Sequence, residues 1–336
     1  MRILQVSSAG NLGGGETHLL ELIEGLRQRG HEVVLAGRRG SAINPDIQLP
    51  FLNSIDVFTA YRLRRILPGF DIVHAHVARD YTIAAAAAWG APKVKLVMTR
   101  HLLYPVRRHA LYRRVDGWLA PTTQILKTLA PLRPQRSAII PNWVDLEKFA
   151  YRPRTALHQP VNVGVLGQIS PHKGHDDALE ATRLLGNGYR LLIAGKGQDA
   201  YVNDLKRRAG GLPVDFLGFV SLPDFFEMVD ILLVPSWEEP FGIVLLEAMA
   251  TGIPVISTSA GGPLDIVRPD RDGVLVRPRD PRALAAEVRR LAANAEWRAE
   301  IVKSARQRVE AEFDVRKVIP RIEAFYEQLK GKHEFK

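Results

Sequence analysis

Apolar residues along this chain fall into two alternating patterns, short continuous runs and longer stretches at helical spacing. Arg2–Ser7 reads as a strand and Glu16–Arg29 as a helix stopped by Gly30. Val33–Ala36, Ile72–His74, Lys95–Thr99, Gly117–Ala120 and Ala138–Ile140 are further short runs, with helical or loop material between them. A second set runs through Val161–Leu166, Leu191–Ala194, Val214–Leu217, Ile231–Val234, Val255–Ser257 and Val274–Val276. This alternation predicts an α/β protein with two parallel sheets, each covered on both faces. Asn142 to Pro160 lacks periodicity and contains two prolines, so it reads as the linker. Beyond Pro281 the pattern turns helical over Arg282–Ala293 and Trp297–Phe313, then over Val315–Leu329 with an interruption near Pro320. The expected domains are 1–145 and 146–317.

In open parallel sheets ligands bind beyond the carboxyl ends of the strands. The chemistry-bearing segments all fall there: Gly13–Glu16, His74–His76, His101, Gln168–Gly174, Glu239–Gly242 and Gly261–Gly262. Glu239 lies in the loop after the run Ile231–Val234, and Glu247 lies within the following helix among Ile, Val, Leu, Ala and Met. A carboxylate buried without a partner costs several kcal/mol, and a polyhydroxyl ligand would supply one. The plain alternative for Glu247 is the solvent stripe of an amphipathic helix.

These segments resemble, in order, the signatures of the retaining glycosyltransferases of family 4. Glu239-Pro240-Phe241-Gly242 with Glu247 resembles the family's two-glutamate motif, and Gly13-Gly14-Gly15-Glu16 its glycine loop. Gly167-Gln168-Ile169-Ser170-Pro171-His172-Lys173-Gly174 resembles its phosphate loop, Ile140–Asp145 its hinge, and Gly261–Asp265 its late glycine turn. The resemblance implies the GT-B fold, two Rossmann-like domains facing a central cleft. It also implies a last helix, within 318–336, that crosses back to the first domain.

The implied reaction moves a sugar, with retention and without metal, from a nucleotide diphosphate sugar to a hydroxyl of a glycan or lipid-linked acceptor. A UDP-sugar is the favoured donor and GDP-mannose the next. Glu239, Lys173 and His101 take the catalytic positions. Gly14, Gly15, Glu16, Gln168, Lys196, Gly218, Phe219, Val220, Phe241, Gly242, Ile243, Val244 and Glu247 take the donor positions. The family carries an arginine where this chain has Gln168, which removes one cation from the expected diphosphate clamp; Lys196 is the candidate substitute. Two other readings stay open, a GT-B sugar-nucleotide epimerase and a catalytically weak sugar-nucleotide binding protein.

Other chemistries fit less well. No G-x-G-x-x-G runs through the first glycines, which argues against a dinucleotide site, although Arg38 and Arg39 follow the second strand. His74 and His76 lack a partner set with metal-ligand spacing, so packing or hinge contacts are the preferred role. No Ser-His-Asp or glycosidase carboxylate pair stands out. Phe219 reads equally as a core aromatic.

Composition narrows the setting. The 336 residues include no cysteine, which excludes disulfides and thiolate metal sites. Met1-Arg2 runs straight into Ile3–Val6, leaving no room for a signal-peptide apolar region, so a cytoplasmic or peripheral protein is expected. Of the net +10, residues 1–150 hold +9, with 20 basic against 11 acidic residues. Arg107, Arg108, Arg113 and Arg114 are its densest cluster. With no nucleic-acid motif in view, this basic half predicts an anionic acceptor or an anionic membrane surface.

Overall fold

The structure is a computed structural model that describes residues 1–11 and 13–331 of the chain. It divides into two compact units, Met1–Asn142 with the segment from Val315 onward, and Trp143–Asp314. The divisions fall at 142/143 and 314/315, against the 145/146 and 317/318 expected. The start of the expected linker is packed: Trp143, Val144, Leu146 and Phe149 are buried, the last three in an apolar cluster of the second unit, while most of 150–160 is exposed. Val144 N–H donates to Phe313 O at 2.9 Å, so the two divisions meet as neighbouring strands of backbone.

The first unit runs β1 (Arg2–Ser7), α1 (Gly14–Gln28), β2 (Glu32–Arg38), β3 (Ile47–Leu49), α2 (Val57–Ile66) and β4 (Ile72–Ala75). It continues through α3 (Tyr81–Ala88), β5 (Lys95–Thr99), β6 (Gly117–Ala120), α4 (Thr123–Lys127) and β7 (Ser137–Ile139). The second unit begins with β8 (Val161–Leu166), α5 (His175–Leu185), β9 (Tyr189–Ala194), α6 (Asp199–Arg208), β10 (Val214–Gly218) and α7 (Leu222–Met228). Then come β11 (Ile231–Val234), α8 (Ile243–Thr251), β12 (Val255–Thr258), α9 (Pro263–Ile266) and β13 (Val274–Val276). Two helices, α10 (Pro281–Ala293) and α11 (Ala295–Arg308), complete it, and α12 (Val315–Lys330) returns to the first unit.

Both sheets are wholly parallel among the described residues, in the orders β3-β2-β1-β4-β5-β6-β7 and β10-β9-β8-β11-β12-β13. Helices on both faces explain why β4, β11 and β12 are continuously buried rather than alternating. In each unit the order reverses beside the first strand, between β1 and β4 and between β8 and β11. That reversal opens a crevice beyond the strand ends, where the connections leave in opposite directions.

The last helix is held by close backbone approach and by ion pairs. A Cβ on Gly25 would lie 2.2 Å from Ile319 Cδ1, and one on Gly117 would lie 2.6 Å from Phe325 Cε1. Glu323 pairs with Arg29 and His31, and Lys330 with Asp71. The expected break at Pro320 does not occur. An interior proline costs about 3 kcal/mol, and burial of Val318, Ile319, Ile322, Phe325, Tyr326 and Leu329 offsets it.

Candidate active site

The crevice of the second unit is built by two loops. After β8 the chain does not turn at once: Gly167 N–H donates to Ala194 O at 3.0 Å and Ile169 N–H to Lys196 O at 2.8 Å, extending the ladder. The register Leu166↔Ala194 and Ile169↔Gly197 sets Gln168 opposite Lys196. Gln168 is exposed, and Lys196 Nζ lies 5.6 Å from the ring centre of Phe219. Phe219 is 80 % exposed, which rules out the core role. Gly218 and Val220 flank it, and Gly218 O accepts from Gly195 N–H at 2.7 Å.

The loop then forms a single 3-10 turn, Pro171–Lys173, before α5. Gly174 closes it at φ +72, and a Cβ there would lie 1.9 Å from Pro235 O. Only glycine allows that backbone to press against the end of β11. The contact brings Lys173 across the switch point to Glu239, with Nζ 2.7 Å from Oε2. Ser236 Oγ donates to the same oxygen at 3.1 Å. The Glu239 side chain is nearly buried, while that of Lys173 keeps about a quarter of its surface. The two residues assigned separate catalytic roles from sequence are therefore one ion pair.

Contacts made by the neighbouring Trp237 hold the two loops around this pair. Trp237 Nε1 donates to Asp177 Oδ2 at 2.7 Å, and Trp237 N–H donates to His172 O at 2.8 Å. The Arg279 guanidinium lies 4.2 Å from the Trp237 ring centre. Burial, with Asp176 close by, raises the Asp177 carboxyl above its ordinary range. From the other side, the Gly261-Gly262 turn packs on the Glu239–Phe241 backbone, and Gly262 N–H donates to Glu239 O at 2.7 Å. Sequence reasoning missed Ser236, Trp237, Asp177 and Arg279. Their signal was adjacency to Glu239 and Lys173, without any motif of their own.

Gly242 at φ +97 starts α8, whose first turn carries the amides of Ile243 and Val244. Those amides have no partner inside the helix, and they make a helix N-terminus suited to anions. Phe241 is buried beneath them. Glu247 is half-buried rather than enclosed, one turn on from Ile243 on the same helix side.

The crevice of the first unit has a different chemistry. His74 is buried, with Nδ1 2.7 Å from Tyr326 Oη and Nε2 2.6 Å from Thr99 Oγ1. His76 Nε2 lies 2.6 Å from Gln5 Oε1, and the two imidazoles meet at a tilt of 42° with their centres 4.0 Å apart. Burial, with His101 close by, lowers the His76 pKa to about 3. Burial, with His18 and Arg100, lowers that of His101 to about 4. His101 is neutral at pH 7. Among the described residues no group of three or more His, Cys, Asp or Glu is placed to hold a metal ion. Gly13 caps α1, Gly14 and Gly15 are exposed, and Glu16 is half-buried. Leu12 of the glycine loop lies outside the described residues.

The basic cluster divides. Arg107, Arg108 and Arg113 are exposed. Arg114 is turned inward: its guanidinium donates to Ala88 O at 2.9 Å, Ala91 O at 2.9 Å, Val94 O at 2.5 Å and Asp116 Oδ2 at 2.5 Å. It is a structural clasp between α3 and β6, and the expectation that it serves the acceptor or membrane side is corrected.

The model of the glycosyl transferases group 1 matches residues 148–308, and that of glycosyltransferase family 4 matches residues 12–148. HepE of Anabaena, solved in complex with UDP-glucose, superposes with a TM-score of 0.83 at 20% identity, over 98% of this chain and 100% of that one. This chain is a glycosyltransferase of the GT-B fold, related to the group 1 and family 4 enzymes. The glycosyltransferase is also 28% identical to the D-inositol 3-phosphate glycosyltransferase of Geodermatophilus obscurus, over 87% of its own length and 80% of the relative's. The lipopolysaccharide outer core galactosyltransferase WaaB, in its apo form, shares its fold with a TM-score of 0.76 at 20% identity, covering 98% and 100% of the two chains.

Proposed function

We propose that this glycosyltransferase transfers a hexose, with retention, from a UDP-sugar to a hydroxyl of a phosphorylated or lipid-linked glycan acceptor. The observation that carries this reading is the Lys173–Glu239 pair at the switch point of the second unit. A cation and a carboxylate side by side suit a ligand with a diphosphate at one end and hydroxyls at the other. Lys173 turns to the diphosphate, joined by the Ile243 and Val244 amides, and Glu239 accepts from sugar hydroxyls. Lys196, opposite Gln168, supplies the charge that the missing family arginine would have given, and exposed Phe219 stacks on the base. Glu247 receives the ribose hydroxyls. The Anabaena structure with UDP-glucose supports the choice of donor, with GDP-mannose second.

In the reaction the anomeric C–O bond to the diphosphate breaks while the acceptor oxygen bonds on the same face. The departing phosphate oxygen takes the acceptor proton. Negative charge grows on the diphosphate in that step, so cations and amides aimed at it lower the barrier. Neutral His101 is the first unit's proposed catalytic group, a hydrogen-bonding side chain that adds no charge. Gly15 has neither a positive φ nor a neighbour within 4 Å of a built Cβ, so packing within the chain does not call for glycine there. Close approach of a phosphate would.

The acceptor is proposed to be anionic, drawn by Arg107, Arg108 and Arg113 and presented at a membrane surface. The inositol phosphate named for the Geodermatophilus relative supports a phosphorylated acceptor. No described helix is long and apolar enough to cross a membrane. The test is product analysis with UDP-, GDP- and ADP-sugars, with and without acceptors. Product formed only with acceptor supports transfer, a new sugar nucleotide without acceptor points to an epimerase, and binding without product points to a binding protein.

A further inference from the structure

The loop before α2 and the outer face of that helix hold large apolar side chains in solvent. Leu52 is 74% exposed, Ile55 80%, Val57 75%, Phe58 58% and Tyr61 57%. On α2 the exposed positions Val57, Phe58, Tyr61, Arg62 and Arg65 form one stripe, opposite buried Thr59, Ala60 and Leu63. The loop is well fixed. The Asp56 carboxylate accepts from Leu52 N–H at 2.9 Å, Thr59 N–H at 2.9 Å and Thr59 Oγ1 at 2.6 Å. Thr59 Oγ1 accepts in turn from Phe51 N–H at 3.1 Å, and Asn53 Oδ1 from Ile55 N–H at 2.8 Å. These bonds hold the loop in place, and the apolar side chains are left standing outward.

The charge around them has one sign. Asp56 is the sole acidic residue between Phe51 and Phe70, and it is buried in its cap. Arg62, Arg64 and Arg65 are all exposed, and Arg62 lies 5.7 Å from the Phe58 ring centre. The Arg64 guanidinium lies against Gly90, beside Trp89, itself largely exposed. Aliphatic knobs, three aromatic rings and arginines only are the composition of a segment lying in a lipid headgroup layer. Side chains this free of neighbours are protrusions, which a protein partner must meet with matching pockets but a bilayer accepts without them.

We infer that the loop Leu52–Ile55 and α2 form an interfacial anchor for anionic membranes. Leu52, Ile55, Val57 and Phe58 enter below the headgroups, and Arg62, Arg64 and Arg65 meet lipid phosphates. This deepens the proposed function by placing its membrane contact on α2 and the loop before it rather than on the Arg107–Arg113 segment. It rests on that reading only for where the acceptor resides, since lipid binding is measured without any sugar.

The full chain is sedimented with phosphatidylcholine vesicles and with vesicles containing phosphatidylglycerol. Binding is expected to the anionic vesicles. The combined change Ile55→Ser, Val57→Ser and Phe58→Ser should lower partitioning at least about tenfold with an unchanged melting temperature. Arg62→Ser with Arg65→Ser should lower it about fivefold per residue, and salt should do the same. Arg107→Ser with Arg113→Ser should have a smaller effect than either. Because the chain lacks cysteine, Ile55→Cys carries one environment-sensitive fluorophore, whose emission should shift blue on anionic vesicles. No sedimentation with either vesicle, or sedimentation without a shift at position 55, would overturn the inference. So would light scattering that shows a dimer abolished by the apolar triple change, which would give the face to a second copy of the chain.

Discussion

The two crevices share a topology and differ in charge. In the second unit the switch point holds an ion pair, Lys173 with Glu239, pressed together by glycines on both flanking loops. In the first unit the same place holds neutral imidazoles bonded to Tyr326, Thr99 and Gln5. A fixed cation and carboxylate suit a charged ligand rich in hydroxyls. Neutral rings suit groups that must be held without adding charge. The doubly wound frame supplies the position, and the loops decide its electrostatics.

Breaking the pair should have the largest effect. Lys173→Ala and Glu239→Gln should each lower kcat by at least about 100-fold, since their contacts strengthen as charge develops. The double variant should lose little more than either single one, because the two side chains act as a unit. Steady-state rates with UDP-glucose and circular dichroism of all three variants check this. Additive losses would mean that the ion pair is incidental to the chemistry.

The glycines come next. Gly261→Ala places a Cβ 2.1 Å from Glu239 O at a φ of +79, and should cost at least about 2 kcal/mol of stability. Chemical denaturation measures that cost, and kcat should fall with it as Glu239 is displaced. A stable variant of full activity would show that the turn does not position the carboxylate.

Much of this was readable from residue order. The continuous runs Ile231–Val234 and Val161–Leu166 gave the strands, because burial on both faces removes alternation. Lys173, Glu239 and the glycine turns could be placed because motif glycines mark where backbones must touch. The pairing of Lys173 with Glu239 was not readable, since it depends on which strands are neighbours across the switch point. The packing at the start of the linker was unreadable for a similar reason. Trp143, Val144 and Phe149 follow no period, yet each finds a place in or beside the second unit's core. Arg114 looked like its neighbours until the carbonyls at the end of α3 were seen to claim it.

A smaller change sharpens the electrostatic contrast. Gln168→Arg adds a cation opposite Lys196 in the second unit's crevice. If the diphosphate sits there, UDP should bind more tightly, by about 1.5–3 kcal/mol for one well-aligned charged hydrogen bond. Calorimetric titration with UDP reads this directly. Flat or weaker binding would mean that the crevice is built around Gln168 and that the diphosphate is not clamped at this position.

The smallest effect is expected from protons, and it should fall on the first unit. His74 is held well below the ordinary 6.5, chiefly by burial, with His76 and His101 adding to it. Burial lowers His76 to about 3 and His101 to about 4. Between those values and 6.5 the unfolded chain binds more protons than the folded one, so stability falls as pH drops through that window. Asp80 works the other way: burial raises its carboxyl from 3.8 to about 6, so the folded chain holds the extra proton between those values. Three imidazoles outweigh one carboxyl, and the net result is a first unit that loosens below about pH 6. Hydrogen exchange of β1, β4 and β5 should quicken there, while the second unit's strands β8, β11 and β12 change less, and His76→Gln should flatten the acid slope. Equal acid sensitivity in both sheets would mean that the neutral histidine cluster does not set the stability of its crevice.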